Sequence, residues 1–208
     1  MDQFSGALYD SRYNKVVYDE AGNAGGTART MVTAVNGSPL VDATRTAVEA
    51  RSRVCFALSL LSAGTPMFFM GEEIGAQKQF TYNNFPPDRE DSLGERDGNG
   101  KKLFRFYQEL ISLSRRLRSI SSHNIDILHQ WNSNRIITFK RWSGDEEVII
   151  IVSINNTAFT NGYVIRKDWL AIPGAGWKEI FNSDASIYGG QNIGNGGATI
   201  PSSQGCLN

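Results

Sequence analysis

The stretch from Thr44 to Glu73 constrains this chain more than any other. It reads as a helix, a tight turn, a buried strand and two carboxylates. Thr46 and Glu49 have the spacing of a capping box, in which each side chain satisfies a free amide at a helix start. Ala47, Ala50, Val54, Ala57, Leu58 and Leu61 then recur on one helical face. Gly64 follows, a residue able to take the left-handed conformation that closes a helix. Thr65 to Met70 holds Met67, Phe68, Phe69 and Met70 without a polar break. Such a run is too short for a membrane span and suits a strand buried on both faces. Gly71, Glu72 and Glu73 stand at its C-terminal end, the end at which α/β folds place their chemistry.

A second strand ends the same way. Lys15-Val16-Val17-Tyr18 is short, β-branched and aromatic, and Asp19 and Glu20 follow it directly. In a parallel sheet the two sets of acids would converge on one face. The plainer alternative is that acids after strands cap the next turn. Two long connections surround these elements. Ala21 to Asp42 is rich in Gly, Asn, Thr and Ala, and Gly75 to Asn99 carries Phe80, Tyr82, Phe85, Pro86, Pro87 and a charged run from Asp88 to Asp97. Loops of that length are functional or mobile in most compact domains. The rings of the second loop either stack on a ligand or anchor the loop to the body.

Lys101 to Arg118 is the clearest helix, with Leu103, Phe106, Tyr107, Leu110, Leu113 and Leu117 on one stripe. Arg115, Arg116 and Arg118 in its last turn complement the helix dipole. From about Ser121 the pattern turns to short alternating segments. Ile125–His129, Arg135–Trp142 and Glu147–Ile154 read as successive strands, with Asn132-Ser133-Asn134 and Ser143-Gly144-Asp145 as turns between them. Gly162–Arg166, Trp177–Phe181 and Ala198–Ile200 add shorter strands, and together these predict an antiparallel β-sandwich. Trp131, Trp142, Trp169 and Trp177 are candidate ligand-stacking platforms or core residues of that domain.

Bulk properties exclude several classes of partner. Among the 208 residues Lys plus Arg and Asp plus Glu are both 21, so a nucleic acid or an anionic membrane is not expected. Cys55 and Cys206 form neither a disulfide framework nor a metal-ligand spacing, and Cys55 reads as a small core residue. No metal and no cofactor are expected. No apolar run spans a bilayer and the first residues lack the form of a signal peptide, so a cytoplasmic location is expected.

Gly64-Thr65-Pro66-Met67-Phe68-Phe69-Met70-Gly71-Glu72-Glu73 resembles the last barrel strand of the α-amylase superfamily of glycoside hydrolases, whose pattern is Gly-x-Pro, an apolar run, then Gly-x-Glu. With Asp19-Glu20-Ala21-Gly22-Asn23-Ala24 upstream, the resemblance points within that superfamily to the 1,4-α-glucan branching enzymes. It implies an α/β plus all-β chain. Residues 1–120 would be the last two strand–helix units of a (β/α)8 TIM barrel, and residues 121–208 a C-terminal β-sandwich domain whose closing strand is expected beyond Asn208. The implied parent reaction cleaves an α-1,4 link and transfers the chain to a 6-hydroxyl of an α-glucan. A retaining enzyme of this kind needs two carboxyl groups about 5 Å apart. The residues that would be nucleophile and acid/base have no counterpart here, so the chain alone is expected to be inactive.

By position Asp19 matches the third acid of the family, the transition-state stabiliser, although Tyr18 stands where the family has a His. Glu73 and Tyr82 are the implied substrate-binding residues. His123 and His129 lie in or beside the β domain and do not replace the missing His. Expected partners are an α-glucan, an N-terminal barrel fragment, or a second copy through unpaired sheet edges. Two other readings compete: a non-catalytic carbohydrate-binding or scaffold module, and a fragment of another amylase-type enzyme.

Overall fold

A computed structural model describes residues 42–77, 90–155, 157–166, 176–203 and 206–207. The expected strand Lys15–Tyr18, Asp19, the loop residues Phe80, Tyr82 and Phe85, and Trp169 lie outside these residues. The chain divides into two units. Among its described residues the first contains most of helix α1 (Asp42–Leu61), a 3₁₀ turn (Glu72–Ile74), helix α2 (Ser92–Asp97), helix α3 (Lys101–Arg116) up to Ser112, and the segment Ser183–Ile193.

The core of the first unit is aromatic. Phe56 of α1 stacks on Tyr107 of α3 at 3.7 Å, and Phe106 meets Phe56 and Tyr188 edge-on at 6.3 and 5.4 Å. Leu103, Phe106, Tyr107 and Leu110 are all buried, as the α3 stripe predicts. The face that α1 buries differs from the expected one. Val48, Glu49, Ser52, Arg53 and Phe56 are buried, while Ala47 is exposed and Ala50, Val54, Ala57, Leu58 and Leu61 are only half-buried. A count of apolar residues misses this face because three of its five members are polar. Two of those have partners that permit burial: Arg53 Nη1 donates to the Tyr188 carbonyl at 2.9 Å, and Glu49 accepts from Arg45 at 2.8 Å. The capping box expected at Thr46 and Glu49 is not at the helix start, since α1 already begins at Asp42 and Glu49 pairs back to Arg45.

Thr65–Met70 is also corrected. It is an extended segment outside any described strand, and Met67, Phe68 and Met70 are 56%, 38% and 65% exposed. An apolar run is buried on both faces only when strands flank it, and no described strand does so. Its polar groups turn to local partners instead: Met67 N–H donates to Ser59 Oγ at 3.2 Å, and that hydroxyl donates back to the Met67 carbonyl at 3.0 Å. Part of the expected loop Gly75–Asn99 is helical, with Asp91 capping α2 by accepting from Gly94 N–H at 3.0 Å.

The second unit holds residues 61–63, 113–182 and 194–208. Its described elements begin with the short helix α4 (Arg118–Ser121). An antiparallel meander follows, β1 (Ile125–Trp131), β2 (Ile136–Ser143) and β3 (Glu146–Ser153), in the order β1-β2-β3. A second antiparallel sheet has the order β4-β7-β6-β5, with β4 Ile165–Arg166, β5 Gly176–Lys178, β6 Thr199–Ser203 and β7 Cys206–Leu207. The sheets share a small core centred on the buried Ile165 of β4, against which Ile149 of β3, Tyr163, Trp177 and Ile200 pack. All three long strands were legible from alternation and turns. A register shift between Ile127 and His129 was not: Ile127 pairs with Phe139 but His129 with Thr138, so β1 changes face at Leu128.

Candidate functional site

The carboxylates after the extended segment are positioned by a glycine turn. Gly71 has φ 96° and Gly75 φ 69°, left-handed values that glycine adopts without penalty. Between them the chain makes one 3₁₀ turn, and a close approach fixes it: a Cβ on Gly100 would stand 2.3 Å from the Ile74 carbonyl oxygen. The turn separates two neighbouring acids. Glu72 is buried and its Oε2 accepts from Phe69 N–H at 2.8 Å. Glu73 is half-buried and its Oε2 accepts from Gly71 N–H at 2.9 Å. Glu72 therefore serves the interior. Burial, and behind it the Glu72 charge, pushes the Cys55 thiol up to about 11, so Cys55 stays protonated and inert. The same two causes hold the Tyr107 phenol well above its ordinary range. Glu73 keeps Oε1 without a partner among the described residues, so it can accept from a ligand hydroxyl.

Of the expected site residues the structure describes Glu73 alone; Asp19 and Tyr82 lie outside the described residues. Among the described residues no group of three or more His, Cys, Asp or Glu side chains is arranged to hold a metal ion, and no helix is long and apolar enough to cross a membrane.

The β unit presents a second set of candidate residues. Trp131 is 53% exposed at the end of β1, while Trp142 and Trp177 are half-buried. Lys140 Nζ lies over the Trp142 ring at 5.1 Å, and Trp177 packs against Ile165. His129 lies nearly parallel to Trp131, at 5° with ring centres 6.4 Å apart, and its Nε2 is 2.8 Å from the Tyr163 hydroxyl. His123 is exposed.

Two polar anchors escaped the sequence reading. Arg141 is fully buried, and its guanidinium donates to the carbonyls of Asn124 and Ile120, both at 2.9 Å, and to those of Ser122 and Leu61. Tyr188, within a Gly- and Asn-rich tail, is buried; its carbonyl accepts from Arg53 and its hydroxyl donates to Glu109. The available signal for Tyr188 was a lone aromatic ring in a Gly- and Asn-rich segment, whereas Arg141, beside Lys140 in β2, carried none.

Comparison with known proteins reaches both units. Residues 129–207 match the family model described as the α-amylase C-terminal all-β domain. A 1,4-α-glucan branching enzyme of Pseudomonas syringae pv. tomato is 29% identical over 160 residues, covering 73% of this chain. The chain is similar to the C-terminal portion of 1,4-α-glucan branching enzymes. A second such enzyme, from Oleidesulfovibrio alaskensis, is 27% identical over 170 residues, again 73% of this chain. A third, from Xanthomonas campestris pv. campestris, is 39% identical over 74 residues, 35% of this chain. The matches span 20%, 24% and 10% of these relatives' own lengths.

Proposed function

We propose that this chain works as the C-terminal part of a 1,4-α-glucan branching enzyme, an enzyme that cleaves α-1,4 links and re-forms them as α-1,6 links. One observation carries the reading. The β-domain match occupies 129–207, yet branching enzymes are matched over 73% of the chain, so the similarity extends upstream of the β domain into the helical unit. In this reading residues 1–120 form the last two strand–helix units of the catalytic barrel. Thr65–Met70, extended and apolar, is the strand whose flanking neighbours a whole barrel supplies. Its exposure without described neighbours is consistent with that role.

The chemistry follows from what each group can do. Asp19 is the carboxylate that stabilises positive charge developing on the sugar ring. Glu73, with Oε1 available and Oε2 tied to its own turn, accepts from a glucan hydroxyl, and Tyr82 offers a ring for stacking. The nucleophile and the acid/base come from a complementing barrel portion, and α-glucan is the substrate of the whole.

The test uses amylose and iodine. The chain alone leaves the stain unchanged. Grafted in place of the matching C-terminal part of the Pseudomonas syringae relative, it supports formation of α-1,6 links, counted by chromatography after debranching. Loss of stain with the isolated chain, abolished by Asp19→Asn, overturns the assignment of the missing carboxylates. A folded graft that forms no links overturns the reading as a whole.

A further inference from the structure

We propose that Trp131, His129 and Tyr163 form a non-catalytic platform on the β unit that holds a linear α-1,4-glucan. The proposal rests on the α-glucan reading above for its ligand class and on geometry for its place.

Strand alternation places His129 and Trp131 on one face, and the register shift in β1 decides which face that is. Before it, Ile125 and Ile127 pair with Arg141 and Phe139; after it, His129 and Trp131 pair with Thr138 and Ile136. Without the shift the alternation of β1 would keep all four side chains on one face. With it, the two flat rings at the strand's C-terminal end leave the face of Ile125 and Ile127, and they lie parallel within 5°. An indole 53% exposed at a strand end has surface that its own domain does not cover. The imidazole is fixed from behind: Nε2 meets the Tyr163 hydroxyl at 2.8 Å, and Tyr163 is braced by Phe159 at 4.9 Å between ring centres. The His129 and Tyr163 rings are thus held in place before any ligand arrives, which lowers the ordering cost of binding.

A pyranose matches this arrangement. Its axial C–H groups make a flat apolar face for the indole, and its rim of hydroxyls needs hydrogen-bonding partners at the edge of the ring. The Tyr163 hydroxyl and the exposed side chain of Asn132 supply such groups at the same end of β1. The zero formal charge of the chain gives no attraction for a phosphate backbone or an acidic surface. By contrast Trp142 lies beneath Lys140 and Trp177 sits in the core, so neither competes for this role.

The experiment is affinity electrophoresis and titration of the full chain with maltoheptaose, with cellohexaose as the β-1,4 control. Wild type binds maltoheptaose, and Trp131→Ala binds it about tenfold more weakly, equivalent to about 1.4 kcal/mol. Tyr163→Phe, which keeps the ring but removes the hydroxyl that meets His129 Nε2, weakens binding by a smaller factor. Circular dichroism reports whether each variant is folded. If Trp131→Ala does not fold, the Trp131 indole N–H resonance of the wild type, assigned with Trp131→Phe, serves instead and shifts on addition of maltoheptaose. Absence of binding by wild type, equal binding by Trp131→Ala, or equal binding of cellohexaose overturns the platform. So does a loss of self-association in Trp131→Ala with glucan binding intact, which marks a protein contact. None of these outcomes bears on the graft experiment, so failure of the platform and failure of the branching-enzyme reading are distinguishable.

Discussion

Arg141→Met removes the most demanding polar group of the β unit while keeping side-chain length. Arg141 has no exposed surface, and its known acceptors among the described residues are main-chain carbonyls rather than a carboxylate. Burial alone pushes its guanidinium below the ordinary range. The cation is retained because the C-terminal ends of helices leave carbonyls unpaired, and Leu61, Ile120 and Ser122 lie at such ends. Methionine relieves the desolvation of the charge but orphans the carbonyls. The Ile120 carbonyl, whose bond to Arg141 is buried, costs about 1–3 kcal/mol when left unsatisfied. Asn124 and Ser122 are exposed and half-buried, so water recovers part of their loss. The expected net destabilisation is about 3 kcal/mol, at the low end for breaking a buried charged constellation. That is a large share of the roughly 5–15 kcal/mol that holds a domain together. Arg141→Lys has three donors and no planar fork, and recovers about half. Urea unfolding followed by tryptophan fluorescence reads both variants. An Arg141→Met protein within about 0.5 kcal/mol of wild type, the scatter of surface substitutions, refutes the carbonyl-capping argument.

Two further outcomes are expected. The Tyr188 and Arg105 hydrogen bonds hold the Glu109 carboxyl below its ordinary range, and the Ser119 amide does the same for Glu146, so this stability is present above the usual glutamate value and is lost as pH falls below it. Burial and then Glu109 raise the Tyr188 phenol, so its contribution is complete below pH ~10 and is lost as pH rises beyond it. Thermal midpoints across pH should therefore fall at both ends, and Tyr188→Phe should flatten the alkaline end; an unchanged profile in that variant refutes the assignment. The exposed run Met67, Phe68 and Met70 should drive self-association that Met67→Lys with Met70→Lys relieves. Light scattering of the wild type showing a compact monomer at tens of micromolar, roughly where such surfaces associate, refutes this.

Legibility in the sequence followed how local the deciding interaction was. β2 and β3 alternate and are joined at Gly144, so their pairing from Ile136↔Ser153 to Ser143↔Glu146 needs no distant residue to be read. The α3 stripe is equally local, since residues three and four apart share a face whatever they pack against. Thr65–Met70 fails for the opposite reason. Its composition reports that it is buried in some fold, and says nothing about which strands bury it. Leu103, Phe106 and Leu110 of α3 are covered all the same. Tyr188 helps to cover Phe106 from more than eighty residues away, and no periodicity links the two.

The same division separates the two candidate sites. The Gly71-Glu72-Glu73 turn is legible as a motif because its glycine and its acids act within five residues. What remained hidden was the sorting of the acids, Glu72 inward beside Cys55 and Tyr107, Glu73 outward on Gly71 N–H. That sorting depends on α1 and α3, not on the motif. The β1 site inverts the case. Trp131 is conspicuous in the sequence, yet four tryptophans are indistinguishable there. Only the register shift at Leu128, a property of how β1 meets β2, moves His129 and Trp131 off the face that Ile125 and Ile127 occupy. A residue's chemistry is written in the chain, but whether that chemistry faces a ligand or the interior is settled by partners distant in sequence.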